Sequence, residues 1–456
     1  MDADVIVVGA GPVGLFLAAE LELAGAGALV LERRETPSTE TKARGLGALA
    51  TEALRRRGLG DRLAEADVAG TKDLARDHGS TLGHFAGIHK IVPDPDRPRT
   101  NIWQPELERL LAEHASGVRV LRGHDVTALE SDVDGVAVTA GGREWRAKYL
   151  VGCDGGRSTV RKLAGFGFPG TPALLRTIAG CVRFAGDVPP GGRYAAGTFM
   201  SGGSMAGVSE PAGPEREGPV TPDELAASIA RVTGRQVTVE EVRDGRRFGD
   251  QARQADTYRR GRVFLAGDAA HVHSPSGGQG LNLGIPDAAN LGWKLGAVIR
   301  GDKPEGFLDT YTRERHPAAE AVLRNTRAQS ALLAPGPHVD ALREIVAELM
   351  DLPEANRFFA DLMSGVRHRY ALPYPAPAPA GEHCPDLELV DGSGRKTRLH
   401  EHTRTGRGLL LTTEHPADPR IDVVEAANTG PLLLRPDGVI AWAGEGPLDV
   451  ALDTWF

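Results

Sequence analysis

Val5-Ile6-Val7-Val8-Gly9-Ala10-Gly11-Pro12-Val13-Gly14 runs an apolar, β-branched stretch straight into three glycines spaced G-x-G-x-x-G. Four consecutive apolar residues suit a strand buried on both faces, as in a parallel sheet. Gly9 permits the tight turn at the strand's end, Gly11 lets a pyrophosphate approach the backbone, and Gly14 lets the next helix pack against the strand. Pro12 and Val13 open that helix, whose first N–H groups then face the anion. A second apolar run, Ala28-Leu29-Val30-Leu31, ends at Glu32. An acid about 20 residues past the glycines can accept both hydroxyls of a ribose. This predicts a Rossmann-type α/β fold that binds a dinucleotide, with Arg33 beside the ribose; Glu32 leaves both NAD and FAD open.

The choice rests on Gly267-Asp268-Ala269-Ala270-His271-Val272-His273-Ser274-Pro275-Ser276-Gly277-Gly278-Gln279-Gly280-Leu281-Asn282. It follows the apolar run Arg262 to Ala266 and precedes a long apolar-periodic segment, so its backbone N–H groups lie at a helix start. Such a place suits a buried anion. Reduced flavin is one, with its charge at the pyrimidine edge, and a helix N-terminus there favours flavin reduction. Two separated motifs converging on one ligand point to FAD and to redox chemistry.

The chain has 456 residues, 41% of them hydrophobic, enough for one large core with satellites. A net charge of −8 from 53 basic and 61 acidic residues, without a sustained basic run, argues against nucleic acid or an anionic membrane as partner. Cys153, Cys181 and Cys384 lack CxxC spacing, so neither a zinc site nor a disulfide framework is expected. The acidic start is unlike a secretory signal and no run of 18 apolar residues occurs, so the expected location is cytoplasmic.

Strand and helix alternate to about Arg161, with a helix from Pro105 to Ala115. Strands are expected at 118–121, 136–139 and 149–151, the first two joined through Asp134-Gly135. From Ile178 to Phe248 short strands dominate, with one helix near Pro222 to Val232. Helices return from Ile285 to Gln329. Pro286 is expected to interrupt the first of these, which restarts with Asp287 in its first turn. These patterns place a nucleotide-binding domain at 1–175 and 250–371, an inserted sheet domain at 176–249, a stiff Pro-Ala linker at 372–381 and a small C-terminal domain at 382–456.

With Gly152-Cys153-Asp154-Gly155-Gly156-Arg157-Ser158-Thr159-Val160-Arg161 added, the chain resembles the single-component FAD-dependent aromatic hydroxylases, which share the para-hydroxybenzoate hydroxylase fold. Among them it is most similar to those acting on aromatic polyketides and rifampicin. The resemblance implies a Rossmann-type FAD domain, an inserted mixed β-sheet substrate domain and a thioredoxin-like C-terminal domain without redox cysteines. It implies bound FAD, NADPH as co-substrate with NADH possible, and oxygen transfer from a flavin C4a-(hydro)peroxide by hydroxylation or Baeyer-Villiger insertion.

Carried onto this chain, it implies that Glu32 binds the ribose, Arg44 and Gln104 the phosphate and ribityl region, and Val126 the adenine through its backbone. Asp154 and Arg157 lie in the segment tied to FAD and NADPH. Asp268, after Gly267, would hold the ribityl side, and Pro275 with the backbone of Gly278, Gln279, Gly280, Leu281 and Asn282 would line the isoalloxazine. Plainer readings stand beside these: Asp154 as a turn cap, Arg44 as a solvated cation. The substrate would lie between the sheet domain and the flavin, with residues 72–102 contributing and His84, His89, Phe199, Met200 and Met205 as lining candidates. The expected partners are an aromatic polyketide-like molecule and O2, with the chain a monomer or homodimer. The competing reading is an FAD-binding protein that rearranges or protects a polyketide intermediate without NADPH-driven oxygenation.

Overall fold

The structure is a computed structural model that describes the whole chain apart from residues 41, 68–82, 98, 215, 276 and 415–417. Residues 72–82 of the 72–102 part expected to border the substrate therefore lie outside the described residues.

Strand β1 (Ala3–Val8) leads through the glycine turn into helix α1 (Pro12–Leu23), which returns to β2 (Ala28–Glu32). Helices α2 (Ala48–Arg56) and α3 (Gln104–His114) follow, then β3 (Arg119–Arg122). Leu107, Leu110 and Leu111 of α3 are buried, as their spacing requires. Strands β4 (Val126–Ser131), β5 (Val136–Ala140) and β6 (Arg143–Gly152) form an antiparallel meander. The Asp134-Gly135 turn thus joins β4 to β5, not 118–121 to 136–139. β3 instead pairs in parallel with β2. β4 escaped the sequence reading because only Val126 at its start is buried, so it carries no apolar alternation.

The inserted unit is a five-stranded antiparallel sheet of β7 (Leu175–Ala185), β8 (Gly192–Tyr194), β9 (Gly197–Gly202), β10 (Met205–Pro211) and β11 (Thr238–Gly249), in the order β8-β9-β10-β7-β11. Helix α4 (Pro222–Thr233), capped by Thr221 Oγ1 on Glu224 N, covers one face. The chain then re-enters the first sheet as β12 (Val263–Leu265), parallel to β6, and continues into α5 (Gly280–Arg300) and α6 (Asp309–Leu333). α5 runs unbroken through Pro286, correcting the expected restart. Pro286 is the seventh residue of the helix, past the four N–H groups that lack an intrahelical partner, so Asn282 O loses its helical donor while the helix continues. α7 (Pro337–Leu349) and α8 (Pro353–Ser364) pack against a hairpin of Gly83–Phe85 with Ile88–Ile91.

The C-terminal unit has β13 (Gly408–Thr412) between parallel β14 (Ile421–Glu425) and antiparallel β15 (Leu432–Leu434), with β16 (Ile440–Trp442) beyond and α9 (Leu448–Trp455) closing the chain. This is a thioredoxin-like arrangement, and Cys384 is its one cysteine. Residues 372–381 form a packed strap rather than a spacer. Tyr374 Oη donates to Ala441 O at 2.7 Å, Gly381 N to Ile440 O at 2.7 Å, and Ala380 is fully buried. A rigid extended path allows the prolines to lie flat against a sheet as readily as to hold two bodies apart.

Behind the strap is a buried ionic cluster. Arg435 donates to both oxygens of Glu314, at 2.7 and 2.8 Å, while Lys294 Nζ and Asn290 Nδ2 each reach Glu314 Oε2 at 2.7 Å. Asp437 joins through Arg435 and through Asn290 at 2.9 Å. One polar network therefore links α5, α6 and the turn between β15 and β16.

Candidate functional site

The crevice begins where β1 ends. Gly9 has φ +108°, and a Cβ on Gly14 would stand 2.0 Å from Gly9 O, so this turn admits no side chain at either position. Gly11 differs: a Cβ there would meet nothing within 4 Å. Its lack of a side chain relieves no clash in the chain itself and leaves open space at a helix N-terminus, which fits a pyrophosphate. Pro12 and Val13 form the first turn of α1 behind it.

Glu32 is held at the end of β2. Its Oε2 accepts from Ala10 N at 2.7 Å and its Oε1 from Arg34 N at 2.9 Å, which fixes the carboxylate while leaving lone pairs on both oxygens. Arg33 is exposed beside it. His124 N donates to Glu32 O at 2.9 Å, bringing the approach to β4 and its buried Val126 to the same end of the crevice. Gln104 N donates to Ala43 O at 3.0 Å, and the Arg44 guanidinium stacks 4.7 Å from the Trp103 ring centre. Arg44 and Gln104, 60 residues apart, thus share one wall.

Asp154 does cap a turn: its Oδ2 accepts from Thr159 N at 2.7 Å and Val160 N at 3.0 Å. Its Oδ1, however, is buried without a partner, and a buried acceptor left unsatisfied in the protein calls for a ligand or water. Arg157 is exposed and turned outward, its carbonyl accepting from Lys162 Nζ at 3.0 Å. The two residues taken together from the sequence therefore face different surroundings.

On the far side, Gly267 takes φ +62° and Asp268 stands exposed in the short 3-10 turn Gly267–Ala269. Pro275 is exposed, and Gly278 N donates to Pro275 O at 2.9 Å, closing the loop before α5. The Gln279 side chain does not line this surface. It turns inward, donating to Met363 O at 3.1 Å and accepting from Asn325 Nδ2 at 2.7 Å, so it anchors the loop and leaves only its backbone to the crevice. Gly280, Leu281 and Asn282 form the first turn of α5, whose N–H groups have no partner within the helix. The Asn282 carboxamide oxygen accepts from Gly47 N, while its Nδ2 donates to Gly278 O at 3.0 Å. That side chain ties the start of α2 to the start of α5.

The support for this loop was missed in the sequence. His271 Nε2 lies 2.7 Å from Asp287 Oδ2, which also accepts from Gly267 N at 3.0 Å. Asp287 Oδ1 accepts from Arg315 Nε at 2.7 Å, and Arg315 reaches Leu283 O at 2.9 Å and Tyr370 Oη at 2.7 Å. Burial alone would raise the Asp287 pKa, but the charges of Arg315 and His271 outweigh it and hold the carboxyl below its ordinary range. The signal was there: Asp287 is followed by Ala288, Ala289 and Leu291 on an apolar helix, and an acid so placed is buried and needs a partner.

The substrate candidates separate by face. Phe199 is fully buried beneath α4 with Val208 and Ile229, so it belongs to the sheet's own core and does not line a cavity. Met200, next along β9, points to the opposite face and is 57% exposed. Met205 is on that same face, its sulfur 3.4 Å from Cys181 Sγ. His84 and His89 stand on the 83–91 hairpin with ring centres 5.1 Å apart. Burial, then the neighbouring His89 and Arg99, push the His84 pKa down.

Residues 2–326 match the family described as FAD binding domain, and residues 378–456 match aromatic-ring hydroxylase, C-terminal. A rifampicin monooxygenase of Streptomyces venezuelae is 40% identical, over 99% of this chain and 98% of its own length. The solved OxyS anhydrotetracycline hydroxylase from Streptomyces rimosus superposes with a TM-score of 0.89 at 40% identity, covering 100% of this chain and 99% of its own. A dialkyldecalin synthase of Streptomyces rugosporus is 36% identical over 100% of this chain and 99% of its length. No helix among the described residues is long and apolar enough to cross a membrane.

Proposed function

The chain belongs to the FAD-dependent aromatic-ring hydroxylases and is a flavin monooxygenase, and from that premise we propose that it uses NADPH to insert one atom of O2 into a flat polycyclic aromatic substrate of the polyketide type. Bound FAD supplies the redox chemistry, accepting electrons from the nicotinamide and activating oxygen. The chain's own task is to bind, orient and keep dry.

In this reading Glu32 takes the ribose hydroxyls, with Arg33 alongside, and Gly9 to Gly14, including Pro12 and Val13, receive the pyrophosphate. Val126 offers its backbone to the adenine. Arg44, Gln104 and Asp268 hold the phosphate and ribityl region, and Asp154 supplies an acceptor through its unpartnered oxygen. Pro275, Gly278 and the first turn of α5 border the ring, where the helix N-terminus stabilises negative charge. Arg157, exposed at the rim, serves the nicotinamide dinucleotide. Met200 and Met205 border the substrate from the sheet.

The observation that carries the proposal is Gly11, whose open surroundings leave a cradle just where a dinucleotide-binding turn must be approached, in a chain alike over its full length to monooxygenases. The test is anaerobic reduction of the FAD-loaded protein by NADPH, with and without polycyclic phenols, followed by readmission of 18O2. Faster bleaching with a phenol and one 18O in the product are expected. The likeness to a dialkyldecalin synthase supports a second reading, in which the flavoprotein shapes a substrate without oxygenating it. FAD that stays oxidised under NADPH with every phenol would favour that reading and overturn the first.

A further inference from the structure

The sheet face turned away from α4 has small residues at its centre, Gly207 and Ala179, with larger ones such as Met205 and Phe248 around them. One cross-strand row on it runs Met200, Gly207, Ala179 and Arg246, from β9 through β10 and β7 to the edge strand β11. Arg247, the next residue, points to the other face and is clamped by Glu224, with its Nε 2.9 Å from Glu224 Oε1. Arg246 has no such partner. It is half-buried, yet its guanidinium takes part in none of the hydrogen bonds or ion pairs of the described residues.

The charged and titratable groups that face Arg246 are Glu40, Arg44, Asp244 and Cys181. Glu40 is already engaged by Arg34 at 3.4 Å and Lys42 at 3.6 Å. Asp244 is exposed, at the bulged part of β11, where solvent screens it. Arg44 is a second cation, on the wall of the crevice. Burial disfavours the charged Arg246, and the nearby charge of Arg44 adds to that, against Glu40 and Asp244. A half-buried, unpaired guanidinium beside another cation is costly unless an anion joins it.

We propose that Arg246 is a positioning residue that receives an ionised oxygen, a phenolate or enolate, of a flat polycyclic ligand lying across Gly207 and Ala179. Neighbouring strands stand about 4.8 Å apart, so the row from Met200 to Arg246 spans roughly 14 Å, comparable with the long axis of several fused rings. Ala and Gly at its centre leave the floor flat, Met200 offers an adaptable apolar contact at one end, and Arg246 fixes the polar end. This rests on the aromatic-substrate reading above. Ionised oxygen also occurs on the phosphates of FAD and NADPH, so the test must separate those sources.

The probe is alizarin, a hydroxylated anthraquinone whose colour reports ionisation, with unsubstituted anthraquinone as the neutral control. Each is titrated into FAD-loaded wild type, R246Q and R246K, alizarin across a pH series spanning its own pKa. Wild type is expected to ionise bound alizarin at a proton concentration about tenfold higher than in free solution. R246Q should lose that shift and bind the anion about tenfold more weakly, R246K should recover part of both, and anthraquinone should bind all three alike. FAD content should match in all three proteins, and NADPH should not compete with alizarin. An equal ionisation shift in R246Q overturns the assignment while leaving the aromatic-substrate reading intact. Loss of FAD in R246Q, or displacement of alizarin by NADPH, assigns the residue to a dinucleotide phosphate and also overturns it. Failure of wild type to bind either anthraquinone removes the aromatic-substrate reading itself.

Discussion

Asp287 Oδ2 receives His271 Nε2 at 2.7 Å and Gly267 N at 3.0 Å, so one buried carboxylate oxygen closes the turn that carries Asp268 into the crevice. Replacing Asp287 by Asn keeps the shape but leaves Arg315 without its counter-charge. Breaking one side of a buried pair costs about 3–5 kcal/mol. D287N is expected to unfold at lower temperature and, at temperatures where it is still folded, to retain less FAD. Calorimetry and the flavin absorbance of the gel-filtered protein check both; an unchanged flavin content in folded D287N would detach this residue from the loop.

Gly11 and Gly14 should separate ligand binding from folding. Gly11 has φ −75° and open space, so G11A is expected to fold with a loss of no more than about 1 kcal/mol, the scale of an exchanged N-cap. Its FAD affinity should fall at least about tenfold, the added methyl group standing in the pyrophosphate's approach. G14A, whose Cβ would meet Gly9 O at 2.0 Å, should fail in folding itself. Apoprotein melting and FAD titration of both variants distinguish the two losses.

Glu314 gives the stability a defined acid limb. Burial would raise its pKa, but Arg435 and Lys294 outweigh burial and bring it to about 2, below the ordinary 4.5. Its folded pKa being depressed, its contribution is complete above 4.5 and is lost as pH falls toward about 2. E314Q should be less stable than wild type at neutral pH, and the gap should narrow steadily through that window. Denaturant midpoints of both proteins over a pH series measure it, and a gap independent of pH would show that Glu314 is not the titrating group.

Phe199 and Met200 are adjacent in sequence and opposite in effect. F199A opens a cavity under α4 and should cost about 3–5 kcal/mol. M200A should leave stability within about 0.5 kcal/mol and shift KM for a polycyclic substrate several-fold. Paired melts and steady-state kinetics on the same preparations test this contrast.

The glycine turn, Glu32, the loop before α5 and the β15–β16 hairpin were legible because each depends on local chemistry: a forced backbone angle, a strand of continuous apolar residues, a turn dipeptide. Alternation shows that Phe199 and Met200 face opposite ways, but which face a helix covers is decided by α4, more than 20 residues later. Asp287 was misread for a similar reason. Beside Pro286 it looks like the opening of a helix, and only His271, Gly267 and Arg315, gathered from three elements, reveal it as a buried hub. The strap misled because proline-rich composition specifies stiffness and says nothing about what the stiff segment lies against.

The buried cluster of Glu314, Lys294, Arg435 and Asp437 has a mechanical meaning. An apolar seam can loosen by degrees, each ångström of separation losing a little contact, whereas ions matched to one another in a dry seam resist any partial opening that parts them before water can enter. The C-terminal unit should therefore behave as a bolt rather than a hinge, either fully seated or fully released. Because Tyr370, at the head of the strap, holds Arg315, which holds Asp287, release of the bolt also slackens the loop across the crevice. A unit that contributes no redox cysteine pair and stands apart from the crevice thereby sets how firmly the far wall of the crevice is held.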